Sequence, residues 1–247
     1  MSGGALALYA RWQLRDAFLR ALAPVVIFAG IAGIPLWALV RQHTLAVMRQ
    51  QGPLLEGALQ IYGNLMELSM TLGAFVLVSG LLSADRMKQH YRFLFSRPVA
   101  PWRFYLQQFA ISVVLFVAVF SLIPIGFGLI FTPVPIVAVV KSATLYALLY
   151  GTLALLCGAL VNKDGALLIG VAILATVLQQ LERTNALPRW AGILADALPP
   201  LITAEALRAR WLAERAIESG DLVLVLLYSL GMLVGALVLI RRTPLAR

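Results

Sequence analysis

Charged side chains are scarce in this sequence. Only 13% of the 247 residues are Asp, Glu, Lys or Arg, whereas 61% are hydrophobic, and the mean hydropathy is +0.89. A soluble domain is about a quarter charged. The composition therefore excludes an ordinary soluble protein, and it leaves no segment that could form a separate soluble catalytic domain of ordinary size.

Residues that build catalytic and metal sites are also few. The single cysteine, Cys157, lies in an apolar run and offers neither an intrachain disulfide nor a cluster of zinc ligands. A P-loop needs Gly-Lys, and none of the three lysines follows a glycine. The two histidines, His43 and His90, are expected on opposite sides of the membrane, which argues against a Ser–His pair. We expect no enzyme activity, no metal and no cofactor in this chain. The expected role is movement of a substrate rather than catalysis.

Long apolar segments make up most of the chain. Six of them are long enough, or nearly so, to cross a bilayer, which takes about 20 residues. The predicted spans cover about residues 22–40, 61–82, 106–131, 136–161, 166–181 and 222–240. The predicted fold class is an all-α integral membrane protein with six transmembrane helices in a single domain, 1–247.

Short connecting loops decide the orientation of such a protein. With the N-terminus inside, twelve basic residues fall on the inner side and eight on the outer side, and the last outer loop also carries six acids. We therefore expect both termini to be cytoplasmic. The net charge of +9 then marks the cytoplasmic side and the anionic lipid surface, and it does not indicate nucleic acid.

The first segment, 1–20, is predicted to be an interfacial helix before span 1. Leu8, Trp12 and Leu19 share a stripe on this helix, but Arg15 falls on the same stripe and would have to reach water along its aliphatic stem. An ordinary charged segment leading into span 1 fits the same residues.

Short helices are predicted in the region 182–220, between spans 5 and 6. Pro188 can open a short helix that contains Trp190. Pro199 and Pro200 then break that helix, since proline interrupts the backbone hydrogen bonds.

A second short helix is expected after this break. Thr203 is suited to cap its start, and Gly220 is suited to terminate it after Ser219. Trp211 would lie on this helix and, like the tryptophan before the break, suits a membrane interface.

Polar side chains inside the spans are candidates for a translocation path. Asn64, Glu67 and Thr71 line up along one face of span 2, and Glu67 is the only acid clearly inside an apolar segment, where charge is costly. Lys141 lies near the outer end of span 4, with Thr144 on a similar face. Because both fall on the outer side, Lys141 could pair with Glu67. A hydrogen bond between helices is the alternative role for Glu67.

The loop 83–105, between spans 2 and 3, is strongly basic. It holds one acid, Asp85, and five basic residues: Arg86, Lys88, Arg92, Arg97 and Arg103. At about 100° per residue, one arc of a helix holds Met87, Tyr91, Leu94 and Phe95. Pro98 stops this helix, and Pro101 can begin the next one. The pattern predicts an amphipathic docking helix, and a basic loop that only fixes topology is the alternative.

The order of these features resembles the permease subunit of an ABC transporter of the ABC-2 (type V) exporter group. The local likeness is strongest at Asp85-Arg86 followed by Leu94-Phe95-Ser96-Arg97-Pro98-Val99. Six spans, the interfacial helix and the broken short helices after span 5 extend it over most of the chain. The family often has Gly-Thr in the middle of this loop, where this chain has Gln89-His90.

The resemblance implies partners for the loop. Asp85–Phe95 would be a cytoplasmic coupling helix seated in a groove of a separate ABC ATPase subunit, and that partner would bind ATP and Mg. The implied docking residues are Asp85, Arg86, Met87, Lys88, Tyr91, Arg92, Leu94 and Phe95. A second permease subunit, identical or different, would pair mainly through spans 1 and 5, within lipid of the plasma (bacterial inner) membrane.

The resemblance also implies a gate. The short helices would re-enter the outer leaflet and close the path, with Pro199, Pro200, Trp190 and Trp211 as gate residues. The implied function is outward transport of a lipidic, amphipathic or lipid-linked substrate, to which the lack of a dense polar lining also points. The alternatives are an ion-coupled secondary transporter, for which internal repeats and mid-membrane charges are typical, and a membrane anchor for a partner complex.

Overall fold

The described part of the chain is helical throughout. The structure is a computed structural model that describes residues 10–19, 71, 73, 100–130, 135–161, 164–184, 188–213 and 215–242, and no strand occurs among them. The helices are α1 (10–19), α2 (Pro101–Ile130), α3 (Ile136–Leu160), α4 (Asp164–Arg183), α5 (Arg189–Ala197), α6 (Leu201–Leu212) and α7 (Ser219–Arg242). This confirms the predicted all-α class.

Four helices are long and apolar enough to cross a membrane. The qualifying segments are Pro101–Leu122, Ile136–Leu160, Gly165–Arg183 and Ser219–Arg242. They coincide with predicted spans 3, 4, 5 and 6, so the described chain has the make-up of an all-α membrane protein. Predicted spans 1 and 2 lie outside the described residues, apart from two helical positions, Thr71 and Gly73.

Helix α3 is the centre of the packing. Within its apolar segment 78% of the residues are buried, against 39% in α2, 28% in α7 and 11% in α4. It contacts α2, α4, α6 and α7. Small residues let neighbouring helices approach closely in a membrane protein. Those buried on α3 include Ala143, Ala147, Gly151, Ala154 and Gly158.

Helix α2 places aromatic rings in the core. Its buried aromatic residues are Phe104, Tyr105, Phe109, Phe116 and Phe120. Phe116 and Phe120 stack with 4.7 Å between ring centroids. The ring of Phe120 also lies against Gly73, so closely that a Cβ atom at position 73 would overlap it. Glycine at this position therefore lets predicted span 2 approach α2.

The second short helix differs from its prediction. The prediction of one helix from Thr203 to Ser219 is wrong, because α6 begins at Leu201 and ends at Leu212. The Leu201 N–H donates to the Pro199 carbonyl at 2.8 Å, so the helix starts directly on the proline pair. Gly220 does not terminate a helix, since it lies in the first turn of α7.

Substitution of Gly73 tests the approach of predicted span 2 to α2. We expect Gly73→Ala to lower the free energy of unfolding by about 1–3 kcal/mol, because the new methyl group overpacks a buried ring that is held by its stacked neighbour. The measurement is thermal unfolding of the purified protein in detergent. Adding Phe120→Leu should restore part of the loss, since the smaller side chain makes room.

Gly231 provides the matched control. It lies inside α7, and nothing stands within 4 Å of a Cβ atom built there. Gly231→Ala should leave stability unchanged or raise it slightly, as alanine is the better helix former. Equal behaviour of the two alanine variants would show that Phe120 does not constrain position 73.

Candidate functional site

Two consecutive prolines interrupt the backbone hydrogen bonding between α5 and α6. Pro199 and Pro200 are both buried there. Proline has no N–H, so neither residue can donate a helical hydrogen bond to the carbonyls at the end of α5. The carbonyls before the break and the first N–H groups of α6 therefore need partners from elsewhere.

A side chain of α4 satisfies both sides of this break. The Gln179 amide nitrogen donates to the Pro199 carbonyl at 2.8 Å and reaches the Ala195 carbonyl at 3.5 Å. Its amide oxygen accepts the Ile202 N–H at 3.2 Å. A carboxamide is suited to this role because it both donates and accepts. Gln179 thus takes the capping role that Thr203 was predicted to have.

A side chain of α7 also binds the backbone next to this break. The Tyr228 hydroxyl donates to the Asp196 carbonyl near the end of α5. Tyr228 lies nine residues after Ser219, or about 14 Å along the helix. Gln179 lies four residues before Arg183, or about 6 Å from the end of α4. The break therefore lies alongside these two apolar helices and not beyond their ends.

Helix α6 runs antiparallel to the start of α7. Its first turn is beside the break, and near its other end the Arg210 guanidinium pairs with Glu218 at 3.3 Å and with Asp221 at 3.5 Å. Asp221 is in the first turn of α7, where the helix dipole also favours an acid. Helix α6 contacts α3, α4 and α7. Its buried residues are Leu201, Ile202, Ala204, Leu207 and Arg208.

Helix α5 turns an apolar face outward. Ala191 and Ala195 are buried, and α5 packs against α4. Trp190 is 68% exposed, Ile193 71% and Leu194 52%. An exposed apolar face of this kind is typical of a helix that lies against lipid or a partner.

A groove opens between α3 and α7 at the end of α6. It encloses about 490 Å³. Lys141 of α3 and Trp211 of α6 both line it. The structure thus brings together one residue predicted for the translocation path and one predicted for the gate, whereas Trp190 is not among the residues that line the groove.

The hydroxyl groups near Lys141 are used inside their own helix. Thr144 donates to the Val140 carbonyl at 2.8 Å, and Thr152 donates to the Leu148 carbonyl at 2.7 Å. Ser142 does the same with Ala138 at 2.7 Å. These side chains therefore do not form a polar track along α3.

Most other predicted site residues lie outside the described residues. Asn64, Glu67 and the docking residues of Asp85–Phe95 belong to this group, so the Lys141–Glu67 pair stays a prediction. Thr71 is helical and half-buried. The important residues that sequence reasoning missed are Gln179 and Tyr228. The one feature of the sequence that could have indicated Gln179 and Tyr228 is that each is a polar side chain within an apolar segment.

The helices and the α5–α6 break define a class, an all-α membrane protein with a broken helix pair packed against its spans. No protein-family model matches the chain, and no curated protein sequence matches it.

Substitution of Gln179 tests its role at the break. We expect Gln179→Leu to destabilise the protein by about 1–2 kcal/mol, because buried backbone groups lose their partners. Thermal unfolding in detergent measures this loss. A cysteine introduced as Leu198→Cys, with Cys157→Ala to remove the native thiol, should also react faster with a maleimide in the Gln179→Leu background.

The neighbouring glutamine is the control. Gln180 is exposed, and among the described residues the hydrogen bonds from α4 to the break come from Gln179. Gln180→Leu should change neither the unfolding temperature nor the labelling rate. Equal effects of the two substitutions would show that the hydrogen bonds of Gln179 do not hold the break.

Proposed function

We propose that this chain is the membrane-spanning permease subunit of an ATP-driven exporter of the ABC-2 (type V) group. It moves a lipidic, amphipathic or lipid-linked substrate outward and uses a separate ATPase subunit. In this proposal it crosses the plasma membrane six times with both termini cytoplasmic. The observation that carries the proposal is the α5–α6 pair, which lies alongside the spans after predicted span 5.

The broken helix pair has the chemistry required of a re-entrant gate. Irregular backbone at membrane depth is tolerated only where protein or a water-filled cavity surrounds it. Gln179 and Tyr228 meet this requirement, and they come from two different spans, α4 and α7. A relative movement of these two spans would therefore displace the backbone of the break, and such a displacement would open a gate.

The exposed face of α4 supports a second permease subunit as partner. Only 11% of the apolar segment of α4 is buried. Exposed large side chains recur along it at Ile169, Ile173, Leu174, Val177 and Leu181. In the proposal this face, from predicted span 5, pairs with the second subunit, identical or different, and membrane lipid covers the remaining apolar surface.

The start of α2 is suited to receive motion from the coupling helix. Helix α2 begins at Pro101, directly after the basic loop, and Phe104 and Tyr105 in its first turns are each only 1% exposed. In the proposal Asp85–Phe95 docks on the ATPase, which binds ATP and Mg. Because ATP binds two conformations of the complex with different affinities, its binding supplies the free energy for the conformational change. Movement of the loop then reaches the core through a rigid helix.

The substrate class is supported by the polar groups of α3. The hydroxyls of Ser142, Thr144 and Thr152 donate to carbonyls of their own helix, and the residues around Lys141 in the groove are mostly apolar. A small hydrated ion needs a succession of polar ligands along its path. A lipidic or amphipathic substrate needs apolar walls and few charges, which is what these helices offer.

Co-purification from native membranes tests the proposal. A tagged permease in mild detergent should bring down a soluble ABC ATPase, identified by mass spectrometry. Scrambling Asp85–Phe95 should abolish this, because the docking helix is lost. Arg86→Ala or Tyr91→Ala should uncouple transport from the ATPase activity of the complex, while the permease stays folded.

Arg103→Gln is the matched control. Arg103 is also basic and exposed, but it lies in the first turn of α2, beyond the docking helix, with its guanidinium 5.1 Å from the Trp102 ring centre. This variant should retain the ATPase. A permease that purifies alone under every condition, or wild-type coupling in both docking variants, contradicts the proposal.

A further inference from the structure

We propose that the groove between α3, α6 and α7 binds an anionic phospholipid. Lys141 holds the headgroup phosphate, and the acyl chain lies along the leucines of the groove. The inference does not rest on the proposed function, because the site belongs to this chain alone. The volume of about 490 Å³ is in the range of pockets that hold small molecules.

The walls of the groove are apolar. The residues that line it include Leu145 and Leu148 from α3 and Leu222 and Leu226 from α7. These four leucines are contributed by two neighbouring helices, so an acyl chain between them would contact apolar atoms on both sides. Because lipid tails are as apolar as leucine, these contacts position the acyl chain, and the preference for one lipid comes from the headgroup.

Lys141, the cationic residue of the groove, lies where it can contact a lipid headgroup. Lys141 is exposed and lies five residues after Ile136, about 8 Å along α3. It makes no ion pair with any residue that the structure describes. Arg210, the basic residue next to Trp211, is by contrast engaged with Glu218 and Asp221. Lys141 is therefore the groove residue that can attract an anion.

The surroundings favour a lipid over a soluble anion. Trp211 is half-buried and lines the groove, and tryptophan prefers the level of lipid headgroups. The surface beside the groove is apolar, with Val137 65% exposed and Val223 52% exposed. A soluble phosphate would leave these walls in water, and a zwitterionic lipid would bring a second cation close to the ammonium group of Lys141.

Lipid titration of the purified full chain tests the site. The probes are phosphatidylglycerol and phosphatidylcholine with brominated acyl chains, which quench nearby tryptophans. Wild-type protein should bind phosphatidylglycerol about fivefold more tightly than phosphatidylcholine. This ratio corresponds to the free energy that one basic residue contributes to binding at an anionic lipid surface. Lys141→Gln should abolish this preference and Lys141→Arg should keep it. Trp211→Phe should remove the part of the quenching that depends on Lys141, while exposed tryptophans such as Trp190 stay quenched.

Two further variants keep the test decisive. Arg183→Gln removes an exposed cation at the end of α4, outside the groove, and should keep the lipid preference. Leu148→Trp fills the groove and should reduce by one the number of phosphatidylglycerol molecules retained in native mass spectrometry, even if a Lys141 variant does not fold.

Several results would overturn the site. They are equal affinity of wild type for the two lipids, an unchanged preference in Lys141→Gln, or an equal loss in Arg183→Gln. Displacement of the lipid by inorganic phosphate would instead assign the groove to a soluble anion. Because the binding is measured on the permease alone, an absent ATPase partner leaves the result standing.

Discussion

The backbone at Pro199 and Pro200 is the constraint on which the arrangement of α5 and α6 depends. A polar backbone group without a partner in an apolar environment costs several kcal/mol, and two consecutive prolines prevent a helix from supplying the partners itself. Gln179 and Tyr228 meet the requirement from α4 and α7. Their hydrogen bonds fix where the helix pair lies, and they thereby place Trp211 in the groove and Trp190 on the outward face.

Packing around α3 supplies the frame for this break. In lipid there is little hydrophobic drive between apolar helices, so close contact and satisfied polar groups hold them together. Helix α3 provides the close contact through its buried small residues, and buried hydroxyls such as those of Ser142 and Thr152 are satisfied within their own helix. Helix α4 is far less buried. The described helices thus comprise a buried central helix, α3, and a more exposed span, α4, that carries Gln179.

The sequence predicted those features that depend on local composition. The four described spans follow from apolar runs near the bilayer length, and α5 follows from Pro188. The limits of α6 could not be predicted, because the acceptor for Ile202 N–H is Gln179, 23 residues away. The meeting of Lys141 and Trp211 is likewise tertiary, since 70 residues separate them in the chain. The hydropathy around Lys141 and Trp211 predicts how deep each residue lies in the membrane, but it does not predict which residues of other helices they contact.

Helix α6 connects the two sites that the structure brings out. Its Ile202 N–H is bound at the break, and Trp211, about 14 Å further along, lines the groove. A short, straight helix transmits displacement from one end to the other, and the Arg210 ion pairs tie its groove end to α7. A ligand in the groove that binds one position of α6 more tightly must therefore shift the break by the same free energy. Groove occupancy and the position of the α5–α6 break are then linked in one equilibrium.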